Sequence, residues 1–323
     1  MARLNTKAFA LFLKSGGTLP TPPDNFIELD EKLLLAPDVK VENYKRFNGK
    51  LGANDSYADA CDTTVEGATI SHKMRYQNAA ADALDTVPQY GELLKIGGFT
   101  ENVDTTTPGE ETVTYTWNKD SSPALASAVY YLDGKKQTMT GSVAANVSFS
   151  FEVGMAANIS GSLSAFLDND GVAANEANPT VPLSDEGCLM VGCADVFTED
   201  GSSIKMQSME IDMGAQINKF YGLNLKEYET SDFEPSVNVD FSLDGADYNA
   251  AIQKLQNETT VDIIVKLGTN AGTEVSGKTV MFEITNVKFS NYSDSDDNDT
   301  VQRTHEFILT ADSEFTIKHG YYA

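Results

Sequence analysis

Two-residue alternation of apolar and polar side chains, repeated along the chain, limits most strongly what this sequence can fold into. Between Ala68 and Tyr76, one face holds Ala68, Ile70, His72, Met74 and Tyr76, and the other Thr69, Ser71, Lys73 and Arg75. Between Val147 and Val153, Val147, Phe149, Phe151 and Val153 alternate with Ser148, Ser150 and Glu152. Between Val237 and Leu243, Val237, Val239, Phe241 and Leu243 alternate with Asn238, Asp240 and Ser242. Successive side chains of a strand point to opposite sides, so each run predicts a strand with one buried and one wet face, as in antiparallel sheets. Helical signals are few. Pro88–Ile96, closed by Gly97 and Gly98, and Tyr248–Asn257 predict two short helices. In the second, Asp247 is the expected cap, and Tyr248, Ala251, Ile252 and Leu255 form a stripe expected to face the core.

The order of elements repeats. In the first half come the strand 68–76, the helix 88–96, the apolar run Ala128–Leu132, a turn at Asp133-Gly134, a long strand to Val153 and a strand Ile159–Leu167. In the second come the strand 237–243, the helix 248–257, Val261–Leu267, a Gly268–Gly277 loop, a long strand Thr279–Phe289 and a strand His305–Ile317. Asp-Gly between apolar runs is a hairpin signal in its own right. The match is one of pattern rather than identity, and it predicts a mainly β chain carrying two similar domains. Thr18-Leu19-Pro20-Thr21-Pro22-Pro23 forbids helix and central strand there, since each Pro lacks an N–H. Residues 1–60 are therefore expected to be an extended N-terminal arm. The first β domain is placed at 61–175, a small, polar, Pro-containing linker at 176–200, and the second domain at 201–323.

Charge narrows the function classes. The chain carries 48 acidic and 23 basic side chains, a net charge of −25. Residues 1–184 hold 23 acids and 14 bases, and residues 185–323 hold 25 acids and 9 bases, so the surplus lies mainly in the second half. Without a basic stripe the chain is not built to grip nucleic acid by releasing counterions. If it self-associates, apolar and backbone contacts must overcome the repulsion. Three cysteines, Cys61, Cys188 and Cys193, lack framework spacing and read as thiols rather than a disulfide scaffold. The apolar run Ala8–Leu13 is cut by Lys14 with no small-residue cleavage site after it, so no export is expected. No run approaches the roughly 18 apolar residues of a membrane helix.

Motifs for chemistry are sparse. His72, His305 and His319 have no second His or Cys at metal-ligand spacing, and no metal or cofactor is expected. A nucleophile elbow, a phosphate loop and a dinucleotide fingerprint are absent from the sequence, so the chain is not expected to be an enzyme. Asp168-Asn169-Asp170-Gly171 and the acidic run Asp294–Asp299 carry oxygens of the kind Ca²⁺ takes, but neither completes a twelve-residue loop with its closing Glu, and both are expected to be solvated loops. Asn54, Asn146, Asn158, Asn257, Asn291 and Asn298 each begin an Asn-x-Ser/Thr sequon. These sequons and acidic loops support a rival reading, a secreted or surface β-sandwich adhesin or Ca²⁺-binding module.

Residues 128–170 carry a resemblance to a known family. A short strand Ala128–Leu132 and an Asp133-Gly134-Lys135 turn lead to Gly141, then to a strand with an aromatic at alternate positions, Phe149 and Phe151. A glycine, Gly154, and a strand of small residues ending in Phe166 follow. Upstream lies Tyr90-Gly91-Glu92-Leu93-Leu94-Lys95-Ile96-Gly97-Gly98-Phe99, and downstream Met209-Glu210-Ile211-Asp212-Met213-Gly214. This ordered set resembles the tail-tube (major tail) proteins of tailed bacteriophages. The resemblance implies β-sandwich or half-barrel tube domains with a flanking helix, joined edge to edge into rings that stack. Two tube domains per chain imply a homotrimeric, pseudo-hexameric ring, and a single one a homohexamer; the duplication favours the trimer. The implied partners are the chain itself, a tape measure protein, a tail terminator and tail-tip or baseplate proteins. Genomic DNA would pass through without specific binding, and the location would be the virion tail, assembled in the host cytoplasm without membrane insertion. The acids on the polar strand faces, Glu152, Glu210, Asp212 and Asp240, are the candidates for a DNA-repelling inner wall.

Overall fold

The computed structural model describes residues 9–30, 33, 35, 38–47, 54–75, 84–120, 122–123, 125–168, 172–181, 187–192, 195–222, 225–242, 249–297, 300–320 and 322. The chain is mainly β. It opens with β1 (Phe9–Ser15), β2 (Phe26–Ile27), β3 (Asp38–Phe47) and β4 (Asn54–Lys73). Helix α1 (Gly91–Ile96) follows, then β5 (Phe99–Asp104) and β6 (Thr112–Trp117). Next come β7 (Ala126–Leu132), β8 (Lys135–Glu152), β9 (Asn158–Phe166) and β10 (Ala174–Asn175). The second half holds β11 (Val196–Glu199), β12 (Ser202–Ser203), β13 (Met206–Asp212), β14 (Ala215–Gly222), β15 (Leu225–Phe233) and β16 (Ser236–Ser242). It ends with α2 (Ala250–Gln256), β17 (Thr260–Leu267), β18 (Val280–Asp297), β19 (Thr300–Ile308) and β20 (Glu314–Gly320).

The strands lie antiparallel in two facing layers. One layer runs β4–β9–β8–β13–β16–β19 and ends on the second half of β18. The other runs β11–β17, the first half of β18, then β20–β6–β5. Phe149 and Phe151 of the first layer meet Phe282 of the second with ring centroids 5.6 and 4.8 Å apart, and Phe149 also meets Phe315 at 5.8 Å. The alternating runs explain this: Val147, Phe149, Phe151, Val237, Val239 and Phe241 all face inward and are buried, while their polar neighbours stay wet. Val153, at the end of its run, is exposed.

Strand pairing follows a similar order in the two halves, over more elements than the sequence pattern predicted. In each half an 18-residue strand, β8 or β18, pairs first with the strand before it, β7 or β17, and then with the strand after it, β9 or β19. The following strand pairs back to β4 or β16. The next segment, β10 or β20, continues along the same edge. On the far side, β1 and β11 occupy equivalent places against β7 and β17, each hydrogen-bonded to a two-residue strand, β2 or β12. Each long strand also has one residue in the left-handed region, Gly141 (φ 57°) or Asn286 (φ 54°), at the point where its ladder with β7 or β17 shifts register. A bulge with a left-handed residue bends a strand, letting it serve two different neighbours. The β5–β6 hairpin is an insertion of the first unit without a counterpart among the described residues of the second.

Three expectations differ from the structure. Residues 9–15 are not an arm: Ala10–Leu13 are buried, and β1 pairs along its whole length with β7. A strand covered on both faces has no alternation, so its apolar run carried no strand signal. The units expected at 61–175 and 201–323 do not have separate cores. One buried cluster contains Leu93, Phe149, Phe282 and Ile317 together, and β8–β13 and β6–β20 ladders join the halves. The last strand expected at His305–Ile317 is two strands, β19 and β20, turned at Thr310–Ser313, where Ser313 Oγ donates to Asn286 O at 2.8 Å.

The helices differ in packing. In α1, Leu93, Leu94 and Ile96 are buried, and Glu92 and Lys95 form an i,i+3 ion pair of 2.6 Å. In α2 only Ala251 is buried, Leu255 is half-buried, and Ile252 is 37% exposed, contrary to the expected core stripe. Asp247 and Tyr248 lie outside the described residues, as do the side chains of Cys61 and Cys193. Cys188 is a free thiol. No helix among the described residues is long and apolar enough to cross a membrane.

Candidate functional site: a polar and acidic sheet face

The first layer has an inner face in the core and an outer face of small polar and acidic residues. Cross-strand register aligns Ser71, Ser160, Ser148, Asp212 and Ser236 in one row across β4, β9, β8, β13 and β16. The next row holds Asn158, Ser150, Glu210, Asn238 and Glu306. A third holds Glu152, Ser208, Asp240, Thr304 and Ser293. All four acids proposed from the sequence, Glu152, Glu210, Asp212 and Asp240, therefore share this face. Adjacent strands lie about 4.8 Å apart, so the seven strands span roughly 29 Å.

Hydrogen bonds between neighbouring strands fix the short side chains. Asp240 accepts from Ser208 Oγ at 2.6 Å and Thr304 Oγ1 at 2.5 Å. Asp212 accepts from Asn146 Nδ2 at 2.8 Å and the Gly214 amide at 3.0 Å. Ser148 and Ser160 share a hydroxyl–hydroxyl bond of 2.7 Å, and Ser71 Oγ donates to Asn158 Oδ1 at 3.2 Å. Glu152 and Glu210 stand exposed. Sequence reasoning missed Glu306, which accepts from Asn291 Nδ2 at 3.2 Å. The alternation from His305 onward was the available signal. Four of these five acids come from β13, β16 and β19 of the second unit; the basic residues on the face are Lys73, on β4, and Lys288, on β18, where the first row continues from Ser236 through exposed Ile308. Such a wall can bind water and repel polyanions, and its short, mutually bonded side chains offer little to grip a partner.

The other candidates fall into structural roles. His319 Nε2 lies 3.0 Å from the Tyr90 hydroxyl, and burial pushes the imidazole down to about 3. His72 donates to Glu28 O at 2.6 Å and is also held below its usual range by burial. His305 bonds Glu199 at 3.1 Å. Burial works to raise the Glu199 carboxyl, but His305 and Lys254 outweigh it and hold it below the usual range. No group of three or more His, Cys, Asp or Glu among the described residues is placed to hold a metal. Of the expected acidic loops, Asp168 accepts from Thr140 Oγ1 at 2.7 Å, and residues 169–171 lie outside the described residues. The acidic run 294–297 is strand, not loop, and Asp294 takes a two-bond grip from Arg303 at 2.6 and 2.8 Å. A cleft is lined by Val153, Val191, Phe197 and Val265 together with Asp195 and Lys205. Asp195 already accepts from the Gly192 and Thr269 amides. Comparison with protein-family models and with curated proteins finds no match for the chain.

Proposed function

We propose that the chain is a structural subunit of a phage tail tube, assembling into stacked rings through which DNA is delivered to the host. The observation that carries this reading is the repeated strand pairing of the two halves joined to one face that is mainly polar and acidic, with exposed Ile308 and Lys288 at its β19–β18 end. The second unit gives four neighbouring strands to that face, β13, β16, β19 and β18. The first gives β4, β9 and β8, and at their edge the Asp30 amide donates to Ser71 O at 2.9 Å, where a fourth strand belongs. Three chains then supply six units and about 24 strands, whose closure at about 4.8 Å spacing gives a backbone circle roughly 37 Å across. That leaves room for a nucleic-acid duplex inside. Ring closure also removes the open sheet edges that otherwise template uncontrolled association.

The inner wall would be the acidic face, supplied chiefly by the second unit, so DNA slides past without being held. The role is structural rather than catalytic. The tape measure, terminator and tip proteins are the partners that such a tube requires. Negative-stain microscopy of the purified chain, with salt raised to screen its charge, tests the reading. Rings or tubes with a central hole are expected; monomers at every concentration and salt would overturn it.

A further inference from the structure

Two ladders join the halves, β8–β13 and β6–β20, and their cores differ. Along β8–β13 the inward side chains are apolar: Phe149, Phe151, Met209 and Ile211 are all buried. At the end of β6–β20 the core turns polar. His319, opposite Val113 in the ladder, is 1% exposed. Its Nε2 lies 3.0 Å from the hydroxyl of Tyr90, the residue that caps α1, and its Nδ1 is buried with no hydrogen-bond partner among the described residues. The Tyr90 ring contacts two imidazoles, with its centroid 5.8 Å from that of His319 and 5.6 Å from that of His72 on β4. The Tyr115 ring of β6 meets His319 edge-on at 6.3 Å. One side chain of the last strand thus touches both the helix cap and the inserted hairpin of the first unit. The backbone beside it is close-packed: a Cβ added at Gly320 would lie 2.5 Å from Glu111 O.

We propose that His319 is an acid-operated latch on one of the two joints between the units: when its ring takes up a second proton, the end of β20 leaves β6 and the cap of α1, while β8–β13 stays closed. The site suits an imidazole only while it is neutral. A second proton places an N–H on Nδ1, where no acceptor stands among the described residues, and leaves a buried charge unpaired. The groups facing the ring are Tyr90, Tyr115 and, across Tyr90, His72, none of them an anion at neutral pH. The acid of this network, Glu101, accepts from the Tyr115 hydroxyl at 2.8 Å and reaches His319 only through that phenol. Glu28, Asp30 and Arg75 act on His72 instead. Burial alone drives the His319 ring down to about 3. Place in the chain decides what moves. The ladder of β20 with β18 ends at Lys318, one residue before His319. Beyond it the Gly277 amide donates to Gly320 O at 2.9 Å, and the Tyr322 hydroxyl donates to Lys318 O at 2.6 Å, so the terminal residues form one small piece. Its release breaks few backbone bonds and takes the imidazolium to water. The β8–β13 joint has no histidine among its paired residues and gains nothing from acid in this way.

Hydrogen exchange read by mass spectrometry tests the latch on the isolated full chain, from about pH 7 to about pH 4, with labelling times scaled to the intrinsic exchange rate at each pH. One proton is taken up per opening. Protection in peptides spanning 84–96, 110–117 and 314–320 should therefore fall about tenfold per pH unit below about pH 6, while peptides spanning 147–152 and 206–212 keep theirs. His319→Phe, which fills the site without titrating, should remove that slope. His319→Gln, which keeps a polar partner for Tyr90, should remove it too and serves if the Phe variant does not fold. His72→Gln should leave the slope in place. Flat protection in the parent chain, loss at both joints in a single step, or a slope that survives in the folded His319 variants would overturn the latch. So would a slope that disappears in His72→Gln alone.

Discussion

Replacing Phe149 by Ala tests whether the two units form one cooperative body. The ring is fully buried and touches Phe99 of its own unit at 6.3 Å and Phe282 and Phe315 of the other at 5.6 and 5.8 Å. Truncating a buried Phe costs about 3–5 kcal/mol, with the upper part of that range applying where neighbours cannot collapse into the cavity. Here the neighbours sit on β5, β18 and β20, all tied into ladders, so collapse is restricted and a loss of about 4–5 kcal/mol is expected. With a urea dependence of roughly 3 kcal/mol per molar, the midpoint falls by about 1.5 M. The assay is equilibrium urea unfolding of the monomer at low salt, followed by fluorescence of the single Trp, Trp117 in the first unit, and by far-UV circular dichroism over the whole chain. Coincident transitions that shift together are expected for both the parent chain and Phe149→Ala. A biphasic dichroism curve in which only the phase tracked by Trp117 moves would refute the shared core.

Three further outcomes are expected. Combining Glu152→Gln, Glu210→Gln, Asp212→Asn and Asp240→Asn should leave tube assembly intact but slow DNA ejection from particles, measured by dye-binding release kinetics; unchanged ejection would sink the repelling-wall role. Buried His319 is neutral in the fold with its value near 3, whereas the unfolded chain binds that proton below about 6.5, so stability should fall as pH drops from 6.5 towards 3. The shift corresponds to on the order of 5 kcal/mol, His72 acts in the same direction, and His319→Phe should flatten the acid limb of a denaturation series; an unchanged limb would refute this. At Gly214 (φ 58°) an added Cβ would lie 2.3 Å from Glu234 O, so Gly214→Ala should cost about 1–3 kcal/mol and raise hydrogen exchange in β14–β15.

The sequence made the strands with one wet face legible, because alternation is a local signal: Val147–Phe151 and Val237–Phe241 lie as their patterns required. It also exposed the repeat through the order of elements. The full extent of the repeat was hidden, because β1 is uniformly apolar and β11 and β12 are too short to show a period. The polar faces could be read strand by strand, but their union could not. That union depends on β13 joining β8 to β16, a long-range pairing with no local mark, which is why Glu306 was overlooked. The inserted β5–β6 hairpin and its pairing with β20 fuse the two cores, and nothing in the stretch 99–117 announces that partner. Ile252 was misread because a helical stripe says which residues align, not whether anything covers them.

Charge alone argued against a grip on nucleic acid; in the proposed tube, the face built by β13, β16 and β19 becomes the inner wall. The number of chains per ring tests that account most directly, by native mass spectrometry of isolated rings alongside the rotational symmetry of their end-on images. Three chains of 34.9 kDa, roughly 105 kDa, arranged as six similar lobes are expected. A ring of six full chains, or an open filament without a central channel, would contradict the account.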